Sequence, residues 1–242
     1  MNIRKLLIMA KIQALVFDFD GLIMDTEGPQ IEAWQEVYGH YNQVLPQEKW
    51  MLILGSDYTA FDPLLYLRDL VGGRIDLEAV RRWQDDRANE IIAGLGALPG
   101  VREYLDQAIE LGLRLAVASS SDAAWVTGKL ERLGLRHYFE FIVTKEYVER
   151  VKPDPALYEV AVQKLGVQPQ DALALEDSPN GLRAAKLAGL RTLAVRSDLT
   201  RDLALEDADL IVDSLADLPL QEVLSRLNGA RPAVSVNGKQ RA

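Results

Sequence analysis

The 242-residue chain predicts an α/β fold: a doubly wound, mostly parallel sheet with helices on both faces and a helical cap inserted near its start. Three features carry that expectation. Short apolar runs recur, several of them ending at polar or acidic residues, as buried parallel strands do before their loops. Helical patterns separate these runs and stop at or near glycines. One stretch, from about Gly28 to Leu98, holds helical patterns and no convincing strand.

In chain order, the run Ile12–Phe17 is the first strand and closes on Asp18. Gly28-Pro29 opens the insert, which contains helical stretches at Ile31–Tyr38 and Leu77–Ala93 and closes at Leu98-Pro99-Gly100. Placed directly after the first strand's loop, it would overhang the edge of the sheet where doubly wound folds bind ligands. Beyond it, helical patterns at Val101–Leu111, Ala123–Leu133, Pro155–Leu165 and Asn180–Ala188 alternate with strands at Leu113–Ala118, Phe141–Val143, Ala172–Leu175, Thr192–Val195 and Leu210–Val212. Gly112, Gly134, Gly166 and Gly189 stop the helices. The aromatics Trp34, Tyr38, Trp50, Tyr58, Phe61, Tyr66 and Trp83 gather in the insert and read mainly as its packing core, with Tyr58 or Phe61 also a candidate for a pocket wall. The last residues have linker composition and are expected to fray.

Composition narrows the chemistry. Aliphatic and aromatic residues make up 48% and charged residues 26%, the profile of a globular chain with a buried core. With 27 Lys and Arg against 36 Asp and Glu, the net charge of −9 repels nucleic acid and anionic membranes, so neither is an expected partner. The absence of cysteine removes disulfides, thiolate nucleophiles and metal–thiolate centres and suits a reducing cytoplasmic setting. Two histidines, His40 and His137, are too few for a multi-histidine metal site. No apolar run approaches the length of a membrane span. The oligomeric state is not written in the sequence, and a monomer is the default expectation.

The strongest local signal is Asp18-Phe19-Asp20-Gly21 at the end of the first strand. Strand alternation would send both carboxylates to one side, where they repel unless a hard divalent cation, preferably magnesium, lies between them. One carboxylate could attack an electrophilic phosphorus while the other handles the leaving group's proton. Taken alone, the motif would be a solvated acidic turn. Other predicted strands, however, also end in polar groups. Ser119-Ser120-Ser121 offers hydroxyls and backbone N–H groups at a helix entrance, a cradle for an oxyanion, with Ser119 the better ligand and Ser121 or Asp122 read as the helix cap. Lys152 sits in Val151-Lys152-Pro153-Asp154-Pro155, a loop stiffened by two prolines, although a solvated surface lysine is the ordinary reading. Glu176-Asp177-Ser178 supplies a second acidic pair that would complete the magnesium shell, with Asp177 or Ser178 equally plausible as a helix cap.

In this order and spacing, Asp18-Phe19-Asp20-Gly21 with Asp25-Thr26-Glu27, Ser119, Lys152-Pro153 and Glu176-Asp177-Ser178 resemble the haloacid dehalogenase superfamily of phosphohydrolases. The branch is that of β-phosphoglucomutase and small sugar-phosphate phosphatases, and the resemblance covers about Lys11 to Leu218. With it the chain divides into a Rossmann-like core of residues 1–27 and 98–228 and a cap of residues 28–97, and the linker composition makes residues 229–242 an expected flexible tail. The resemblance implies that Asp18 is the nucleophile and Asp20 the general acid/base, which gives its backbone carbonyl to Mg2+. Ser119, Ser120 and Lys152 would hold the phosphoryl group, and Asp18, Asp20, Glu176 and Asp177 the metal. Thr26, Gln30 and Tyr58 would be candidates to meet the substrate. The expected activity is magnesium-dependent hydrolysis of a small phosphorylated metabolite through an aspartyl phosphate.

Two departures bear on the choice between hydrolysis and mutase transfer. Gln30 stands where the mutases usually carry a histidine, and Gly55-Ser56-Asp57 lacks the arginine that tends to follow the cap glycine. Arg81, Arg82 and Arg87 are the basic cap candidates for a second phosphate, and a solvated helix face is their default reading. Hydrolysis is therefore the first expectation and a phosphosugar mutase the alternative. A receiver-like signalling domain fits less well because the strand ending at Thr144 lacks its phospho-accepting aspartate. An inactive phosphate-binding protein would have no need of the full catalytic set.

Overall fold

The computed structural model describes residues 12–53, 60–196, 199, 205 and 207–229. Tyr58 and Gly55-Ser56-Asp57 lie outside these residues, as does the expected tail from residue 230 onward. The chain opens with β1 (Ala14–Phe17), followed by four helices: α1 (Glu27–His40), α2 (Gln47–Trp50), α3 (Pro63–Leu70) and α4 (Leu77–Ala93). Alternation then begins with α5 (Val101–Glu110), β2 (Arg114–Ala118), α6 (Ala123–Arg132), β3 (Phe141–Val143) and α7 (Ala156–Leu165). It ends with β4 (Ala172–Glu176), α8 (Pro179–Leu187), β5 (Arg191–Val195), β6 (Leu210–Val212) and α9 (Leu220–Gly229). Every apolar run read as a strand forms one.

The six strands make one parallel sheet in the order β3-β2-β1-β4-β5-β6. The side-chain period of two splits β1 between two apolar layers. Leu15 and Phe17 face a layer that includes Tyr104 and Leu105 of α5, Val126 and Leu130 of α6 and Val223 of α9. Ala14 and Val16 face the other, with Leu157, Tyr158 and Leu165 of α7 and Ala184 and Ala185 of α8. Alanines 14, 116, 118, 172 and 174 on this second face leave room for α7 to lie close to the sheet. After β1 the chain builds outward through β2 and β3, then crosses back to place β4 on β1's other side. The loops at the carboxyl ends of these strands diverge at that switch and open a crevice.

The four helices between β1 and α5 bury a separate apolar cluster, including Trp34, Tyr38, Trp50, Phe61, Leu64 and Leu67. Among the described aromatics expected in this core, Tyr66 is partly buried and Trp83, 38% exposed, stacks edge-on against His40. Asp62 caps α3 by accepting from the N–H groups of Leu64 and Leu65, and Asp76 caps α4 through Ala79. The buried Tyr38 hydroxyl donates to the Pro63 carbonyl at 2.7 Å and ties α1 to α3. Both ends of this segment meet beside the sheet, where the Leu98 N–H donates to Ile23 O at 2.9 Å. Among the described residues no helix is long and apolar enough to cross a membrane.

Leu15 is fully buried in the central strand, so Leu15→Ala should cost about 2–5 kcal/mol through lost transfer energy and the cavity left behind. Urea denaturation should show this as a lower midpoint with an unchanged slope.

Candidate active site

The crevice collects the polar groups that end β1, β2 and β4. The Asp18 N–H donates to Leu175 O at 2.9 Å, carrying the β1–β4 ladder one residue past the strand and setting Asp18 beside Glu176. The Ser119 N–H does the same towards Val143 O, also at 2.9 Å. Lys152 reaches in from the loop after β3, preceding a cis bond to Pro153. Far from being a surface lysine, it is 2% exposed, and its Nζ lies 2.5 Å from Asp18 Oδ1 and 2.6 Å from Glu176 Oε1. Glu176 is held on all sides: Tyr158 Oη donates to Oε1 at 2.5 Å, and the Ser178 N–H and hydroxyl reach Oε2 at 3.4 and 3.2 Å.

Two glycines make this packing possible by close approach. Gly21 has φ +84°, and a Cβ there would collide with the Asp177 carboxylate. At Gly181 a Cβ would overlap the Glu176 carboxylate. Ser178 caps α8 by accepting from the Gly181 N–H, which leaves Asp177 to face the crevice floor.

Charge decides what the floor can hold. Asp18, Glu176 and Asp177 each bring a carboxylate oxygen to within 4.8 Å of the others, and all three are buried. Among the described residues Lys152 is the cation paired with Asp18 and Glu176, leaving an excess of two negative charges in a low-dielectric place. Burial and the neighbouring Glu176 push the Asp18 carboxyl up to about 8 despite the pull of Lys152. Asp177 is likewise pushed well above the carboxylate range by burial, Asp18 and Glu176. Burial by itself would lower Lys152, but Asp18 and Glu176 hold it above its ordinary value, so it stays an ammonium. Burial and the same carboxylates raise Tyr158, which keeps its proton and donates it. Asp177 Oδ1 is buried with no hydrogen-bond partner. An orphaned carboxylate oxygen in an all-oxygen donor set with two unmatched negative charges fits a hard divalent cation such as Mg2+.

The Asp20 carboxylate does not join this cluster, which corrects the expectation that Asp18 and Asp20 bracket the metal with their side chains. Strand geometry ends at Phe17, and the chain then turns, with Gly21 N–H donating to Met24 O. Asp20 is rotated into a cradle of four donors. Oδ1 accepts from Thr26 Oγ1 at 2.7 Å and Trp125 Nε1 at 3.0 Å, and Oδ2 from Ser119 Oγ at 3.1 Å and Ser121 Oγ at 2.7 Å. Ser119 is fully buried against Asp20, and it is Ser120 and Ser121 that line the open cavity. Asp122 caps α6 by accepting from the Trp125 N–H, and Glu146 Oε1 accepts from the Ala123 N–H. The cavity above the floor measures about 570 Å³, and its walls include Asp18, Asp20, Thr26, Gln30, Trp50 and Trp125.

A family model described as haloacid dehalogenase-like hydrolase matches residues 15–195, which contain every site residue above. The chain is a haloacid dehalogenase-like hydrolase. YhcW of Bacillus subtilis (strain 168), provisionally named a phosphatase, is 42% identical over 217 residues, 90% of this chain and 98% of that protein. Fructose-1-phosphate phosphatase YqaB of Escherichia coli (strain K12) is 32% identical over 184 residues, 75% of this chain and 95% of that one. The crystal structure of a CbbY variant from Rhodobacter sphaeroides with xylulose-(1,5)bisphosphate superposes with a TM-score of 0.70 at 29% identity, covering 86% of this hydrolase and 96% of that chain.

Sequence reading missed three contributors to the hydrolase site. Tyr158 reads as a buried helix residue, and only the fold shows its hydroxyl on Glu176. Trp125 reads as one more apolar position of α6. Ser121, taken as a cap, spends its hydroxyl on Asp20; its place two residues after a buried strand-end serine was the available signal.

Two outcomes follow for the hydrolase. Gly21→Ala should abolish activity, because the strained backbone and the added methyl displace Asp177, and magnesium titration calorimetry should show weakened binding. For pH, the folded Asp18 holds its proton up to about 8 whereas its ordinary value is 3.8. Between those values the native state binds more protons than the unfolded chain, so this group's contribution to stability falls as pH rises. The metal-free melting temperature should drop across that window relative to Asp18→Asn. The stabilisation conferred by magnesium should grow over the same range, as the cation replaces the proton.

Proposed function

We propose that the chain is a magnesium-dependent phosphatase acting on small phosphorylated metabolites, phosphorylated carbohydrates foremost, through an aspartyl phosphate on Asp18. The observation that carries this reading is the pairing at the cavity floor: Asp18 fixed by Lys152 beside a cation-fitting carboxylate cluster, and Asp20 facing the same cavity. The phosphatase name of the Escherichia coli relative supports the substrate class. Residues 28–97 are proposed as a cap over this cavity, since Gln30, Trp50, Asp85 and Asn89 of the helical segment form part of its wall.

In this mechanism an Asp18 carboxylate oxygen attacks phosphorus and the bond from phosphorus to the leaving oxygen breaks. Asp20 supplies the proton the leaving oxygen needs. Water then attacks the aspartyl phosphate, gives its proton to Asp20, and the phosphorus–Asp18 bond breaks to restore the carboxylate. Lys152 holds Asp18 in position and offsets charge on the phosphoryl oxygens. Ser120, on the cavity wall, would meet those oxygens. Asp18 and Asp177, with Glu176 and the Asp20 backbone carbonyl as further donors, would hold Mg2+. When bound, the ion would supply electrostatic stabilisation of the transferring phosphoryl group.

Asp18→Asn keeps the shape of the side chain and removes the nucleophile, so hydrolysis of 4-nitrophenyl phosphate in magnesium should fall by at least about a thousandfold, with circular dichroism unchanged. Activity within a few fold of wild type would end the aspartyl-phosphate reading. Free phosphate should accumulate from sugar monophosphates; formation of an isomeric sugar phosphate faster than free phosphate would instead select the mutase.

A further inference from the structure

Gln30 of the cavity wall is bonded to a second amide, Gln84, and the phosphoryl chemistry uses neither. Gln84 on α4 is 1% exposed, and its Nε2 donates to Gln30 Oε1 on α1 at 2.6 Å. Gln84 Oε1 is buried with no partner. The bond ties α4 to α1 across 54 residues of sequence. With its oxygen committed to Gln84, Gln30 has its Nε2 donors left for the cavity it lines.

The surroundings of Gln30 are poor in positive charge. Among the described residues, the cavity wall beyond Asp18 and Asp20 includes Glu27, Asp85 and Asp122, and its one basic side chain is Lys145. Lys145 already faces Asp122 at 3.7 Å. A second phosphate on the substrate would enter a wall dominated by carboxylates, whereas a hydroxyl or ring oxygen would find an oriented donor in Gln30.

We propose that Gln30, held by Gln84, is the specificity-determining contact for an uncharged, hydroxyl-bearing leaving group, so that this cavity takes polyol or sugar monophosphates and discriminates against bisphosphates. Gln30 touches the leaving group; Gln84 is a positioning residue acting through it. This inference rests on the phosphatase reading and specifies its substrate class.

The test compares kcat/KM for the best substrate among a panel of hexose and pentose monophosphates with kcat/KM for 4-nitrophenyl phosphate, whose leaving group is a flat aryl oxide. Gln30→Glu can still accept from Gln84 and keeps the packing but removes the donors, so the sugar-to-aryl ratio should fall by about tenfold or more, mainly through KM. Gln84→Met, which removes the anchor without touching the substrate, should lower the same ratio by about threefold. The wild-type enzyme should use a sugar monophosphate at least about tenfold better than the bisphosphate of the same sugar, and Gln30→Lys should narrow that gap. An unchanged ratio in Gln30→Glu, or a bisphosphate preferred by wild type, would overturn the inference while leaving the phosphatase reading in place. Failure of wild type to hydrolyse 4-nitrophenyl phosphate and every monophosphate would overturn both.

Discussion

One buried ammonium set against three buried carboxylates is the constraint around which the site is arranged. Lys152 cannot neutralise Asp18, Glu176 and Asp177 together, and the excess has to be met by protons or by a cation. Each surrounding feature serves that imbalance. Tyr158 and Ser178 donate to Glu176, which also pairs with the lysine. Gly21 and Gly181 remove side chains so that the carboxylates can approach the backbone turns. Asp177 keeps an oxygen with no partner, a cost that a folded protein tolerates where a ligand supplies the missing contact.

The sheet makes such a concentration of charge possible. Parallel strands bring their carboxyl ends to one edge, and placing β1 between β2 and β4 puts three of those ends side by side at the point where the connections diverge. The two apolar layers that sandwich β1 give the edge a rigid base, so backbone hydrogen bonds keep Asp18 and Glu176 in register against their mutual repulsion. Division of labour between the two aspartates follows from the same geometry. Asp18 continues the strand and meets the lysine, and Asp20, past the end of pleated structure, swings into the hydroxyl and indole cradle.

The helical segment contributes a different kind of surface. Its core is built from aromatics and aliphatics of its own, and what it turns towards the cavity includes amides and acids, with Gln30, Asp85 and Asn89 among them. Amides and acids of the helical segment thus face the charged cluster on the sheet side. The CbbY variant crystallised with xylulose-(1,5)bisphosphate shares the fold at a TM-score of 0.70, and a shared fold does not by itself fix the substrate.

Much of this was legible in the linear chain because the signals are local. Strand runs, helix-stopping glycines and polar residues at strand ends depend on near neighbours, so the α/β fold, the order of the elements and the acidic strand ends at Asp18, Glu176 and Asp177 could be read directly, whereas Lys152 stood out only through the family resemblance. Side-chain direction beyond a strand end is not local. Whether Asp20 points at a cation or at Trp125 depends on where α6 lies, and whether Lys152 is solvated depends on β1 and β4 packing against its loop. Tyr158 and Gln84 were hidden for the same reason: each looks like an ordinary helix position until a partner 18 or 54 residues away is brought to its polar atom. The sequence by itself determined which groups were available and on which strands they stood. Tertiary structure decided which of them share a hydrogen bond, because burial leaves each polar atom only the partners that packing delivers.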